Sequence, residues 1–264
     1  MYYYGARYYD PRISIFVSVD PLAEQTMEPY LYTGNNPIMF TDPTGMSKIG
    51  PPNLNNIRNV NNVLGGKNWI QYGSEIPTRY MYLFTTMKGN RECAEYARYQ
   101  VAQGGNIVAQ GSNNRIDMYY RPNSQTDKSK LNVQKGIDII NENLEQGRAV
   151  MAGVSYKDVS TGDNPNRSTN HFVTIVGSGK DDSGTYFSYI DNYGDRDVGA
   201  NLNENRMYYN NDIGGFIDDT NTPIGSPYIL SEIRDNTVKP EQSKELSPRD
   251  KVIIDSYRDL KINH

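Results

Sequence analysis

The sequence predicts an α+β fold, and three observations carry the prediction. The first is a helix-like segment opening on the single cysteine of the chain, within Asn90-Arg91-Glu92-Cys93-Ala94-Glu95-Tyr96-Ala97. The second is an amphipathic pattern over residues 133–146, with Ile137, Ile140 and Leu144 along one stripe. The third is a pair of apolar runs, 171–176 and 185–191, either side of Gly177-Ser178-Gly179-Lys180-Asp181-Asp182-Ser183-Gly184. That pattern reads as an antiparallel hairpin. Helices followed by an antiparallel sheet make an α+β plan.

The elements follow in order. Asn90 can cap the first helix, which runs to about Gln103 and stops at Gly104-Gly105. Cys93, Tyr96, Ala97 and Val101 fall near one face of it. Residues 106–110 and 115–120 read as short strands. The second helix ends at Gly147, and residues 149–155 form a buried strand. Residues 157–169 are a polar loop, and 227–233 add a further strand. Ser247-Pro248 starts a last helix, with Val252, Ile253, Tyr257 and Leu260 apolar. Lys180, Asp181 and Asp182 read as a solvated hairpin tip, and the pairs Tyr119-Tyr120 and Tyr208-Tyr209 as sheet packing.

Composition narrows the function classes. The hydrophobic content is 36% and the mean hydropathy −0.73, but 22 tyrosines add apolar area, so a packed core is feasible. A length of 264 residues allows one large domain or two modest ones. The net charge of −4 offers no basic stripe for nucleic acid. One cysteine means no internal disulfide. No run approaches the roughly 18 apolar residues of a membrane span. The start, Met1-Tyr2-Tyr3-Tyr4-Gly5-Ala6-Arg7, lacks the apolar core and cleavage site of a signal peptide. The fragment alone is therefore expected in the cytoplasm, and export requires carriage within something larger. No metal or cofactor is expected. One Cys and one internal His cannot supply a structural zinc set, and no HExxH or CxxC occurs. Gly177-Ser178-Gly179 lacks the Lys-Ser/Thr and helix of a phosphate loop.

The chemistry lies in Cys93 and His171. A helix N-terminus favours the thiolate through the helix dipole. His171 opens the run His171-Phe172-Val173-Thr174-Ile175-Val176-Gly177. An imidazole on a rigid strand can take a thiol proton and return it to a leaving group. A lone Cys is often a small buried hydrophobe, and a lone His at a strand start is often structural. Their joint placement favours catalysis.

The first 46 residues differ in texture, being rich in Tyr and turn signals. They read Tyr3-Tyr4-Gly5-Ala6-Arg7-Tyr8-Tyr9-Asp10-Pro11, then Phe16-Val17-Ser18-Val19-Asp20-Pro21-Leu22. Tyr30-Leu31-Tyr32-Thr33-Gly34-Asn35-Asn36-Pro37 and Asp42-Pro43-Thr44-Gly45-Met46 follow. This stretch resembles the Rhs repeat-associated core over residues 2–46, departing at Ser14-Ile15, where the family often has Gly-Arg. The resemblance implies that residues 1–46 are the end of a β-cage and that a polymorphic-toxin domain follows. It also implies carriage as part of a larger Rhs protein by a contact-dependent system, and a cognate immunity protein. Some members cut themselves after this motif. Here that means after Met46, with Asp10, Asp20 and Asp42 as candidate acids. Those aspartates equally read as caps of turns beside proline, the reading favoured in this short form. Residues 47–66 look like a linker, 67–240 the toxin domain, and 241–264 a C-terminal helix.

The order of a Cys-bearing helix, a second helix and a His-bearing sheet resembles the papain-like thiol peptidases and amidases, mainly over residues 90–194. In that superfamily an Asp or Asn on the next strand orients the imidazole. The positions that match are Cys93, His171 and Asp191, with Asn192 as the alternative, in Phe187-Ser188-Tyr189-Ile190-Asp191-Asn192-Tyr193-Gly194. Met87 and Lys88 stand where the superfamily usually has an oxyanion-binding amide, so Asn90 or the Cys93 backbone N–H takes that role. The resemblance implies a cysteine hydrolase that cleaves amide bonds in peptidoglycan stem peptides or in a target protein. The alternative is a non-catalytic Rhs tip remnant acting as a binding module.

Overall fold

Tyrosines and turn residues build the start of the chain into three very short strands. In the computed structural model, residues 1–21, 23–35, 37, 42, 51–65, 69–74, 76–80, 83–87, 93–103, 114–119, 131–156, 169–220 and 222–235 are described. The chain divides into two units, Met1–Asn53 with Asp127–Leu131, and Leu54–Thr126 with Asn132–His264.

In the first unit β1 (Tyr2–Tyr3), β2 (Tyr8–Asp10) and β3 (Ile15–Phe16) pair antiparallel in that order. A one-turn helix, α1 (Ala23–Thr26), follows. The centre of this unit is aromatic and ionic. The rings of Tyr4, Tyr9 and Tyr32 surround Phe16 with centroids 6.1, 5.9 and 5.4 Å away. The buried Arg7 guanidinium lies 3.7 Å from the Phe16 ring centroid. It pairs with Asp20 at 3.1 Å and Asp42 at 2.9 Å. The ring face and the two carboxylates together offset the cost of burying that cation. Asp10 accepts from the Arg12 side chain at 2.6 Å and from its backbone N–H at 3.0 Å, closing a turn. The Arg12 hydrogen bonds hold its carboxyl down at about 2. Asp10, Asp20 and Asp42 thus each have a structural partner; Met46 lies outside the described residues.

In the second unit β4 (Ile76–Tyr80) and β5 (Leu83–Met87) form an antiparallel hairpin. Then come α2 (Cys93–Gln103), β6 (Arg115–Asp117), α3 (Val133–Glu145), β7 (Val150–Ser155), β8 (His171–Asp181), β9 (Gly184–Ile190), α4 (Arg196–Gly199), β10 (Arg206–Asn210), β11 (Gly215–Asp218) and β12 (Tyr228–Arg234). Six of these strands close an antiparallel barrel in the order β11-β10-β9-β8-β7-β12, because β12 also pairs with β11. Closure removes the free edges an open sheet would expose. β6 adds to β12 outside the ring. The fold is α+β, as the sequence predicts, and the sheet component is this barrel.

Strand alternation gives β7 two cores. Val150, Ala152 and Val154 pack in one cluster with Ile137, Ile140 and Leu144 of α3. Ala149 and Met151 pack in another with Ala94, Ala97 and Val101 of α2. The Asn132 side chain caps α3, accepting from the Lys135 N–H at 2.9 Å.

Several expectations shift. The two helices fall within a few residues of their predicted bounds. The hairpin tip is shorter than predicted, because β8 runs through Gly177-Ser178-Gly179 to Asp181. That stretch pairs with β9, and residues 58–63 bond along it as well. Val60 bridges Ser178, and the Ser178 hydroxyl donates to the Arg58 carbonyl at 2.7 Å. Gly177 permits the approach, since a Cβ there would sit 2.7 Å from the Val60 oxygen. The expected linker 47–66 is therefore corrected: from Leu54 onward it belongs to the second unit. Leu54, Ile57, Val60 and Val63 pack on the first core and Leu64 is buried in the second. Apolar side chains outweigh the Gly-Pro-Asn composition there. β10 and β11 are absent from the sequence prediction. The expected strand 106–110, the loop 157–168 and the helix 241–264 lie outside the described residues.

The packing of this segment has a direct test. Leu64→Ala should cost about 2–4 kcal/mol in chemical denaturation of the protein. A flexible linker would give no measurable change.

Candidate active site

Helix α2 begins at Cys93, so the thiol stands at a helix N-terminus, where free N–H groups and the dipole favour negative charge. The helix is fixed from below by Ala97 and Val101 against Met151, Val176 and Ile190. The Thr174 hydroxyl on β8 also reaches the Ala97 carbonyl at 3.5 Å. Cys93 itself is half-buried and free.

His171 is the first residue of β8, its backbone paired with Val154 of β7. The ring is buried, and its Nε2 lies 2.8 Å from Asp191 Oδ1. Cys93 is near enough to act on the imidazole and favour its charged form. With Nε2 taken by the carboxylate, Nδ1 is the nitrogen left for a further partner. Cys93, His171 and Asp191 thus come from three separate elements to one place.

Asp191 follows directly on β9, whose last residue, Ile190, pairs with Thr174. The hairpin therefore carries Asp191 back alongside His171. Its carboxylate has no solvent exposure and three donors. Oδ1 accepts from His171 and from the Tyr193 N–H at 2.8 Å, and Oδ2 from the Tyr228 hydroxyl at 2.8 Å. Its backbone is pinned as well. The N–H donates to the Gly199 carbonyl at 2.8 Å, and the carbonyl accepts from Trp69 Nε1 at 2.9 Å. Gly199 must lack a Cβ, which would collide with the Asp191 carbonyl oxygen.

The alternative orienter, Asn192, is engaged elsewhere, which corrects that expectation. Its amide donates to the Ile70 carbonyl at 2.7 Å and to Gln100 Oε1 at 3.1 Å, tying residues 69–72 to α2. The two side chains leave the end of β9 toward different partners, Asp191 to the imidazole and Asn192 to residues 69–72 and α2. Asn90, expected at the oxyanion, lies outside the described residues.

Burial opposes charge on His171, but the Asp191 carboxylate and Cys93 outweigh it and raise the imidazole from 6.5 to about 10. The ring is thus held as imidazolium next to sulfur. Tyrosines surround the pair. The Tyr193 and Tyr228 centroids are 6.5 and 5.8 Å from the His171 ring. Tyr72 is 5.8 Å from Tyr193, and desolvation followed by the nearby Cys93 charge raises its hydroxyl pKa. Tyr193 is 46% exposed and so offers a face to solvent beside the imidazole. Sequence reasoning misses Tyr228, Trp69, Tyr72, Tyr193 and Gly199. Tyr228 lies in the predicted strand 227–233, but no local signal aims it at Asp191.

Among the described residues no three His, Cys, Asp or Glu side chains cluster as a metal site would need, and no helix is long and apolar enough to cross a membrane.

The raised imidazole links stability to pH. Its contribution is complete below the unfolded value of 6.5 and is lost as pH rises through about 10. The melting temperature should therefore fall between pH 7 and pH 10. Asp191→Asn removes the main charge holding the proton and should flatten that fall. Identical slopes in the two proteins would contradict the coupling.

No family model and no solved structure matches the chain. Over 49 residues, 19% of its length, it is 49% identical to Salivary gland surface protein 1 of Aedes aegypti. The chain spans about 1% of that curated relative.

Proposed function

We propose that the second unit is a papain-like cysteine hydrolase that cleaves amide bonds. The observation that carries this reading is the hydrogen bond of His171 to the buried Asp191, with Cys93 close enough to act on the same imidazole. Nucleophile, base and orienter stand in the order that thiol hydrolysis uses. The helix-first arrangement, with Cys93 opening α2 and His171 opening β8, supports the papain-like assignment.

In the reaction, the Cys93 thiolate attacks the carbonyl carbon and the C=O electron pair moves onto oxygen. On this reading the Cys93 backbone N–H or Asn90 donates to that oxyanion. Collapse of the adduct breaks the C–N bond. The imidazolium gives its proton to the departing amine, leaving a thioester on Cys93. His171 then takes a proton from water, whose oxygen attacks the thioester and releases a carboxylic acid. The thiolate–imidazolium pair is restored. Asp191 holds the ring throughout. The substrate is a peptide amide, in a peptidoglycan stem peptide or in a target protein.

The motifs of residues 2–46 support the first unit as the end of an Rhs core. On that reading the chain is the toxin-bearing tip of a larger protein delivered by a contact-dependent system and matched by an immunity protein.

Expression in bacteria, with and without targeting to the periplasm, tests the enzyme. The parent should arrest growth in one compartment, and Cys93→Ala should abolish the effect. Asp191→Asn should lower turnover about 10²–10⁴-fold while the protein still folds. Equal growth inhibition by parent and Cys93→Ala would instead support a binding module.

A further inference from the structure

We infer that Tyr228 is a positioning residue for the triad, its hydroxyl fixing the Asp191 carboxylate so that Oδ1 faces His171. The inference rests on the proposed hydrolase for its functional meaning and on geometry for its substance.

The last torsion of an aspartate is soft, with a broad two-fold profile. A carboxylate therefore needs partners on both oxygens to hold one orientation. At Oδ1 the imidazole shares the atom with the Tyr193 N–H. At Oδ2 the Tyr228 hydroxyl donates at 2.8 Å. Tyr228 is fully buried on β12, the strand that closes the barrel against β11. Its own backbone pairs with Asp218. Its ring is wedged among Tyr156, Tyr189 and His171, at 6.2, 6.0 and 5.8 Å between centroids. The Thr222 side chain lies near the hydroxyl as well. The oxygen therefore has little freedom, and barrel closure is what delivers it to Asp191.

The groups facing this carboxylate come from every neighbouring element. His171 comes from β8 and Tyr228 from β12. Tyr189 on β9 spends its hydroxyl on Asp218 Oδ2 at 2.8 Å. Cys93 on α2 stands beyond the imidazole, with Tyr72 and Tyr193 beside it. Tyr228 is thus the side-chain donor that turns the second oxygen away from the ring.

The test needs no substrate. The chain has 2 histidines, so the His171 imidazole is resolved by NMR in protein labelled at histidine, with His264 as the other signal. Tyr228→Phe keeps the ring and removes only the hydroxyl. A carboxylate free to turn holds the imidazolium less well, so the His171 midpoint should fall by about one unit, a tenfold change in proton affinity. Thr222→Val, which leaves Tyr228 intact and removes the polar group beside its hydroxyl, should move the midpoint in the same direction by less. It keeps the question open to measurement if Tyr228→Phe does not fold. An unchanged or raised midpoint in a folded variant would overturn the inference. The outcome is separate from the growth assay. A hydrolase abolished by Cys93→Ala with no shift in Tyr228→Phe would remove the role of Tyr228 alone. A shift without any Cys93-dependent activity would remove the enzyme and leave the geometry.

Discussion

A carboxylate without solvent contact sits at the centre of the second unit, and the barrel is arranged around its satisfaction. A bare buried anion would cost several kcal/mol. Asp191 avoids that cost because strand β8, strand β12 and the turn after β9 each bring a donor to it. The same three donors decide what the site can do. One of them is His171, and the shared proton there makes the ring a cation beside Cys93. Burial of Asp191 and charge on His171 near Cys93 are consequences of one arrangement.

The fold supplies this arrangement through closure. The β8–β9 hairpin alone would place Asp191 near His171, since Ile190 lies opposite Thr174. It would not supply a partner for Oδ2. That partner arrives only when β12 pairs with β7 on one side and β11 on the other. β10 and β11, both short, matter to the site for this reason and not through any side chain placed in it. Residues 69–72 add an outer brace. Trp69 holds the Asp191 carbonyl, and Tyr72 N–H donates to the Asn192 carbonyl at 2.6 Å.

What could be read from the sequence follows the range of each interaction. Cys93 and His171 were legible because a helix start and a strand start are local patterns. Asp191 was legible only as one of two neighbours, since which of the two turns to the imidazole is decided just past the end of β9, by partners distant in sequence. Trp69 and Tyr228 reach Asp191 across 122 and 37 residues, and nothing near either residue announces that contact. The segment 54–64 carries a signal that composition hides: Leu54, Ile57, Val60 and Val63 recur at every third residue, then Leu64. β10 and β11 are flanked by Asn and Asp turn residues, and their strand character comes from pairing with β9 and β12. In the first unit the turn chemistry of Asp10 was local and legible, whereas the pairing of Arg7 with Asp20 and Asp42 was not.

The proposal that Cys93 is a nucleophile served by His171 is tested most plainly by alkylation of the single thiol. Iodoacetamide reacts with the thiolate and hardly with the thiol. At pH 6 Cys93 in the parent should be alkylated at least about tenfold faster than in His171→Ala. Equal rates in the two proteins, or a parent thiol inert at that pH, would contradict it.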